Sequence, residues 1–138
     1  MVQKETLTFD TKGGGEIIEI TGQVQDKLAR TGLQHGAVVV FVPGATGALT
    51  SLEYEPGAVK DMDALFEKVA PQEGHYEHDV TIGDGNGHAH VRAALLGPSL
   101  TVPFENGRLI LGRWQKIVFI DFDTRPRSRE LVLQVIGE

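Results

Sequence analysis

Leu100-Thr101-Val102-Pro103-Phe104-Glu105-Asn106-Gly107-Arg108-Leu109-Ile110-Leu111 is the stretch that decides the architecture of this chain. Leu100, Val102 and Phe104 alternate with polar or small residues, the period-two pattern of a strand with one buried face. Asn106-Gly107 then offers the two residues that tolerate positive φ in a tight type I′ turn, and Leu109 to Leu111 runs back. An antiparallel hairpin follows directly. Beyond it, Ile117 to Phe122 is apolar on both faces and reads as a central strand, and Leu131 to Ile136 closes the sheet.

Working back towards the N-terminus, Val2 to Asp10 reads as a strand with Leu7 and Phe9 on one face. Lys12-Gly13-Gly14-Gly15 is a turn, and Glu16 to Ile20 returns as a second strand. Thr21 can cap a helix that buries Val24 and Leu28, pairs Asp26 with Arg30 and stops at Gly32. Ala37 to Val42 is continuously apolar and predicts a strand buried on both faces, interrupted by Pro43-Gly44, with Ala48 to Glu55 as its partner. Pro56-Gly57 opens a second helix whose Val59, Met62, Leu65, Phe66 and Val69 recur at helical spacing until Pro71. Gly74 to Gly87 reads as irregular, and Ala89 to Leu96 as a short helix ended by Gly97-Pro98. At least seven strands with two or three helices predict an α+β fold with a mostly antiparallel, sandwich-like core, not a doubly wound α/β sheet.

With 138 residues and no linker, repeat or low-complexity tract, the expectation is a single domain over residues 1–138. Lys and Arg number 13 against 19 Asp and Glu, a net charge of −6, which argues against a nucleic-acid surface. The absence of cysteine excludes disulfides, thiolate zinc sites, iron–sulfur clusters and Cys nucleophiles. The longest apolar run is too short to span a membrane, and the N-terminus lacks a basic-then-apolar signal pattern, so a cytoplasmic location is expected.

Four of the five histidines, His75, His78, His88 and His90, fall within sixteen residues, among Glu77, Asp79, Asp84 and Asn86. Imidazole with carboxylate is a ligand set for zinc, manganese or iron, and equally a general acid–base pair near neutral pH. The same histidines can instead cap loop carbonyls. If His88 and His90 were both helical they would point roughly 200° apart; an extended His88 would bring them to one side. Glu53 and Glu55 share one side of their strand, able to bind a metal or a cation, or simply forming a solvated strand end. Arg125, Arg127 and Arg129 alternate, either to grip phosphate or carboxylate or as a solvent-facing strand entry.

The stretches Leu96-Gly97-Pro98-Ser99-Leu100-Thr101-Val102-Pro103, Asn106-Gly107-Arg108-Leu109 and Leu111-Gly112-Arg113-Trp114-Gln115 together resemble the YjbQ family, whose members are often described as secondary thiamine-phosphate synthases. Tyr76-Glu77-His78-Asp79, Ala89-His90, Glu53 and the terminal Gly137-Glu138 also match, so the resemblance covers nearly the whole chain. It implies a YjbQ-like α+β fold, assembly as a homotrimer, and a pocket near subunit boundaries. It places Glu53, His78, Asp79 and His90 in that pocket as catalytic candidates, with His78, His90 and Glu53 able to hold a divalent metal (Mg²⁺ or a transition metal). Thr46, Arg108, Arg125 and Arg129 are the candidates for binding substrate. Many relatives carry a histidine where this chain has Gly44, and a smaller residue where it has Arg113.

The activity implied joins a pyrimidine methyl diphosphate to a thiazole phosphate with release of pyrophosphate, a reaction that needs cations on the leaving diphosphate. The alternative is a non-enzymatic trimer that binds a metal or a small phosphorylated ligand. Neither reading calls for nucleic acid or membrane as a partner.

Overall fold

The computed structural model describes residues 1–138. In chain order the strands are β1 (Val2–Thr11), β2 (Glu16–Glu19), β3 (His35–Phe41), β4 (Gly47–Glu53), β5 (Ser99–Glu105), β6 (Arg108–Leu109), β7 (Gln115–Asp121) and β8 (Arg127–Gly137). The helices are α1 (Thr21–Thr31), α2 (Pro56–Val69), α3 (Glu77–Thr81) and α4 (Gly87–Leu96). They build a five-stranded sheet in the order β1-β8-β3-β5-β6 and a three-stranded sheet in the order β2-β7-β4, with every pairing antiparallel. This is the α+β, sandwich-like architecture expected from the hairpin and the central strand.

The deciding hairpin forms as read. Phe104 pairs with Leu109 and Glu105 with Arg108, and Asn106 and Gly107 take φ of 52° and 73°, as a type I′ turn requires. β7 is the middle layer of the molecule. Ile117 and Phe119 face the large sheet and α1 in one core, with Val38, Leu133 and Leu28. Val118 and Ile120 face the other way, packing with Phe122 against Phe66 of α2 and Ala89 and Ala93 of α4. The large sheet, the small sheet and a helical layer are thus stacked in that order. Phe9 meets Phe119 and Phe66 meets Phe122 edge-on, at centroid distances of 5.5 and 4.9 Å.

Several local expectations change. The triple-glycine turn does not make a hairpin: β1 pairs with β8 and β2 with β7, so residues 12–15 carry the chain from one sheet to the other. Gly13 runs so close to the β7–β8 connection that a Cβ would lie 2.7 Å from the carbonyl oxygens of Asp123 and Arg125. β8 does not close the sheet but lies inside it, between β1 and β3. β4 pairs with β7 and not with β3. β3 is buried on one face only: Val38 and Val40 are enclosed, while Phe41 is 40% exposed. Thr21 is the first residue of α1, not its cap, and its hydroxyl accepts the Ile117 N–H at 2.8 Å. Arg30 approaches Glu5, at 3.5 Å. The segment expected to be irregular contains α3, and α4 begins at Gly87, two residues early, bringing the helices to four.

Three connections pass between the sheets at one end of the sandwich: residues 12–15, 42–46 and 122–126. Their backbones leave the ladders there and need polar partners, and most of the buried polar side chains of the protein gather at the same place. Among them are Thr11, Thr46, Asp121, Asp123 and Arg129. This end carries the site.

Candidate functional site

A cleft of about 380 Å³ opens over the crossing connections, with Thr46, Asp84, His90, Thr124, Arg125 and Arg127 among its walls. Its floor is an ion network. Asp121, at the end of β7, is fully buried and takes Arg129 Nε at 2.8 Å and Nη2 at 2.9 Å, with the Thr11 hydroxyl donating at 2.6 Å. Arg129 Nη2 also donates to Thr46 Oγ1 at 2.8 Å. Arg127 Nη1 donates to Asp123 at 2.6 Å. Burial pushes the Asp121 carboxyl up, but the hydrogen bonds from Arg129, Thr11 and the Asp123 N–H outweigh it and hold the group below the ordinary carboxylate value. Asp123 follows the same pattern: burial raises it, and the Thr124 N–H, Arg127 and Asn86 bring it lower.

One wall comes from α3, α4 and the loop between them. His90 Nδ1 lies 2.9 Å from the Ala45 carbonyl, so Nδ1–H donates, and in the neutral ring the lone pair is on Nε2. The His78 ring meets the His90 ring edge-on at 4.4 Å. His78 Nε2 is 3.0 Å from Asp84 Oδ1 and 3.0 Å from the Asn86 amide. With its nitrogen turned to the carboxylate, that amide donates to Asp84 Oδ1 at 2.8 Å. His78, Asp79 and Asp84 have ligand atoms within 4.8 Å of one another, and a nitrogen with two carboxylates suits a divalent cation. Asp79 has a second duty, since its Oδ1 accepts the Gly87 N–H at 2.9 Å and so holds the start of α4.

The structure therefore brings together His78, His90, Asp79 and Thr46, with Arg125 exposed at the rim and free of any ion pair. It separates the rest. Glu53 ends β4 at the side opposite the cleft, six residues from Gly47, or about 20 Å along a strand. Within one chain the acid beside His78 is Asp84, not Glu53. Arg108 sits on β6, paired with Glu105, at the His35 end of the large sheet and equally far from the cleft. The three alternating arginines do not form a free cationic stripe. Arg125 precedes the strand, Arg127 is held by Asp123, and Arg129 is consumed by Asp121.

His88 and His90 are both helical and diverge. His88 is buried against Tyr76, and its Nδ1 has no partner. Burial, then Arg92, keeps that imidazole below its usual value against the pull of Asp79, Glu67 and Asp123. Glu55 caps α2, accepting the Gly57 and Ala58 N–H groups. His75 pairs with Glu77 on the surface.

Sequence reasoning missed Asp121 and Asp123. The available signal was a pair of acids at i and i+2 closing the most apolar strand, followed by arginines at the same spacing. Acids at the end of a buried strand need cations close at hand.

Comparison with known proteins agrees with this fold. The family model described as "UPF0047 protein YjbQ-like" matches residues 5–138. A UPF0047 protein of Archaeoglobus fulgidus is 40% identical over 130 residues, covering 94% of this chain and 98% of the relative. YugU of Bacillus subtilis is 37% identical, covering 96% and 98%, and YjbQ of Escherichia coli O157:H7 is 29% identical over the full length of both. Among solved structures, a YjbQ/UPF0047 protein of Clostridium acetobutylicum superposes with a TM-score of 0.87 at 34% identity, covering 96% of this chain and 99% of that one. A protein of unknown function from Sulfolobus solfataricus gives 0.90 at 25% identity over all of both chains. The chain belongs to the UPF0047, YjbQ-like family.

Proposed function

We propose that the cleft binds a small phosphorylated molecule and supports a low-level transfer of the thiamine-phosphate-synthase kind, joining a pyrimidine methyl diphosphate to a thiazole phosphate with loss of pyrophosphate. The observation that carries this reading is His90. Its Nδ1–H is fixed on the Ala45 carbonyl, which leaves a basic Nε2 above a cleft edged by an uncommitted Arg125. Thr46 and Thr124 add hydroxyl groups for phosphate oxygens. A divalent cation, Mg²⁺ or a transition metal, would be held by His78 and Asp84 and would neutralise charge on the leaving diphosphate.

One observation favours the alternative, a binding protein without turnover. Arg127 and Arg129 are tied to Asp123 and Asp121, so few cations remain for a leaving group. Pyrophosphate release from the two precursors with Mg²⁺ separates the readings. Turnover that falls at least about tenfold in His90→Ala, a loss of about 1.4 kcal/mol of transition-state stabilisation, supports the enzyme. No turnover in either protein supports the binding role.

Assembly as a homotrimer is part of the proposal. Its support is the outer face of the large sheet, where Val2, Phe41 and Ile136 are all exposed. Light scattering should give a trimer mass, and a monomer mass would defeat the idea. No helix is long and apolar enough to cross a membrane. A protein with no nucleic-acid partner is the reading that its net charge of −6 favours.

A further inference from the structure

The Asn86 side chain stands between two carboxylates. At one end its amide lies 3.0 Å from His78 Nε2 and 2.8 Å from Asp84 Oδ1, and His78 Nε2 is itself 3.0 Å from that Asp84 oxygen. Its other end serves Asp123 as a hydrogen-bond partner. An amide carries its donors on one end and its acceptor on the other, so it cannot donate to both acids at once. With the nitrogen towards Asp84, the carbonyl oxygen is turned to the Asp123 carboxylate. With the nitrogen towards Asp123, the amide oxygen faces Asp84 Oδ1 at 2.8 Å, and one His78 Nε2–H can serve only one of those two oxygens.

A cation resolves the second arrangement, and the spacing of the three atoms shows which coordination it fits. Their separations are 3.0, 3.0 and 2.8 Å. Ligands at right angles, about 2.0–2.1 Å from an ion, stand about 2.9 Å apart, whereas tetrahedral ligands stand about 3.3–3.4 Å apart. The triangle therefore matches one face of an octahedron. Asp79 is the poorer third ligand, because its Oδ1 already accepts the Gly87 N–H. Asp84 and Asn86 both line the cleft, so the opposite face of the ion is left to water or to an anionic ligand there. The Asn86 side chain makes no bond to the start of α4 and is free to turn. Its backbone carbonyl accepts the Ala89 and His90 N–H groups, at 3.0 and 3.3 Å, and so ties the same residue to His90.

We propose that Asn86 is the third ligand of a six-coordinate divalent cation and that its amide is a two-position switch. In the ion-free protein the nitrogen donates to Asp84. With the ion bound, the oxygen turns to the ion and the nitrogen to Asp123. This rests on the cation reading of His78 and Asp84, and adds a ligand, a coordination geometry and a response of the protein to the ion. Asp84 is the one anion among the three ligands, so the bound ion keeps a net positive charge. It gives the cleft a cation that Arg127 and Arg129, both paired with acids, do not.

Co²⁺ absorption and Mn²⁺ calorimetry on the full chain test the idea. Six-coordinate Co²⁺ absorbs weakly in the visible and four-coordinate Co²⁺ intensely, and the wild type should give the weak spectrum. Asn86→Ala keeps the backbone carbonyl that starts α4 and should bind Mn²⁺ at least about tenfold more weakly. Asn86→Asp puts a carboxylate oxygen in the same place and should bind at least as tightly as the wild type. Melting of the ion-free variants checks that both are folded, and Asn86→Asp decides alone if Asn86→Ala is not. Unchanged Mn²⁺ affinity in Asn86→Ala, or weaker binding in Asn86→Asp, overturns Asn86 as a ligand and leaves the ion on His78 and Asp84. An intense Co²⁺ spectrum overturns the octahedral face. Binding of neither ion to the wild type overturns the cation reading itself, and the switch with it.

Discussion

Arg129 lies side-on to Asp121, its Nε and Nη2 each reaching a different carboxylate oxygen, at 2.8 and 2.9 Å. Both side chains are enclosed, with Asp121 at 0% exposure and Arg129 at 5%. Removing one partner leaves the other charged and dry. Arg129→Met should cost about 3–5 kcal/mol of stability, whereas removing both charges together with apolar residues should cost much less. Urea unfolding of the single and double variants checks this. A double-variant loss equal to the sum of the two single losses would show that the pair is not coupled.

Acid should destabilise the protein in two stages. His88 is held below its ordinary value when folded, so the unfolded chain takes up that proton first as pH falls below about 6.5. Its contribution is present at higher pH and is lost across that window. Asp121 and Asp123 are also held low in the fold. Their contribution is present above the ordinary carboxylate range and disappears as pH falls through their lowered folded values. The thermal midpoint should therefore decline from about pH 6.5 and again more steeply below about pH 4. His88→Gln should flatten the first decline only, and a first stage unchanged in that variant would assign it to another group.

The two neighbouring acids at the end of β4 should behave differently. Glu55 accepts two N–H groups at the start of α2. Glu55→Ala should cost about 1 kcal/mol in denaturant unfolding. Glu53 is exposed and makes no side-chain bond within the chain, so Glu53→Ala should change stability by less than about 0.5 kcal/mol. A loss of activity or of assembly in that second variant, with stability intact, would show that Glu53 acts across a subunit boundary.

Divalent-cation binding should depend on Asp84. Titration of Mn²⁺ or Zn²⁺ by calorimetry should show at least a tenfold loss of affinity in Asp84→Ala, as expected when one of few ligands is removed. Unchanged binding would place the ion away from His78, Asp79 and Asp84.

Local chemistry made much of this legible. The Asn106-Gly107 turn and the two-faced apolarity of β7 fixed antiparallel pairing and a central layer, because backbone φ and side-chain alternation are properties of a few adjacent residues. Partner choice was not legible. The Gly13-Gly14-Gly15 stretch looks like a hairpin turn, but whether the following strand folds back or crosses to a second sheet depends on contacts with residues 121–127. The histidines were visible as a group, yet their division depended on one detail. Starting α4 at Gly87 sends His88 into the core and His90 to the cleft. Arg127 and Arg129 read as free cations because the acids that hold them, Asp123 and Asp121, belong to the preceding strand and loop.

The gathering of three of the sheet crossings at one end has a consequence for folding. The cleft draws on residues 45–46, 84–90 and 123–127, and its floor reaches back to Thr11. No short contiguous fragment of the chain contains all of it. Binding at the cleft should then rise and fall with the whole fold, in a single cooperative step, so that a ligand titration doubles as an assay of whether the two sheets have docked.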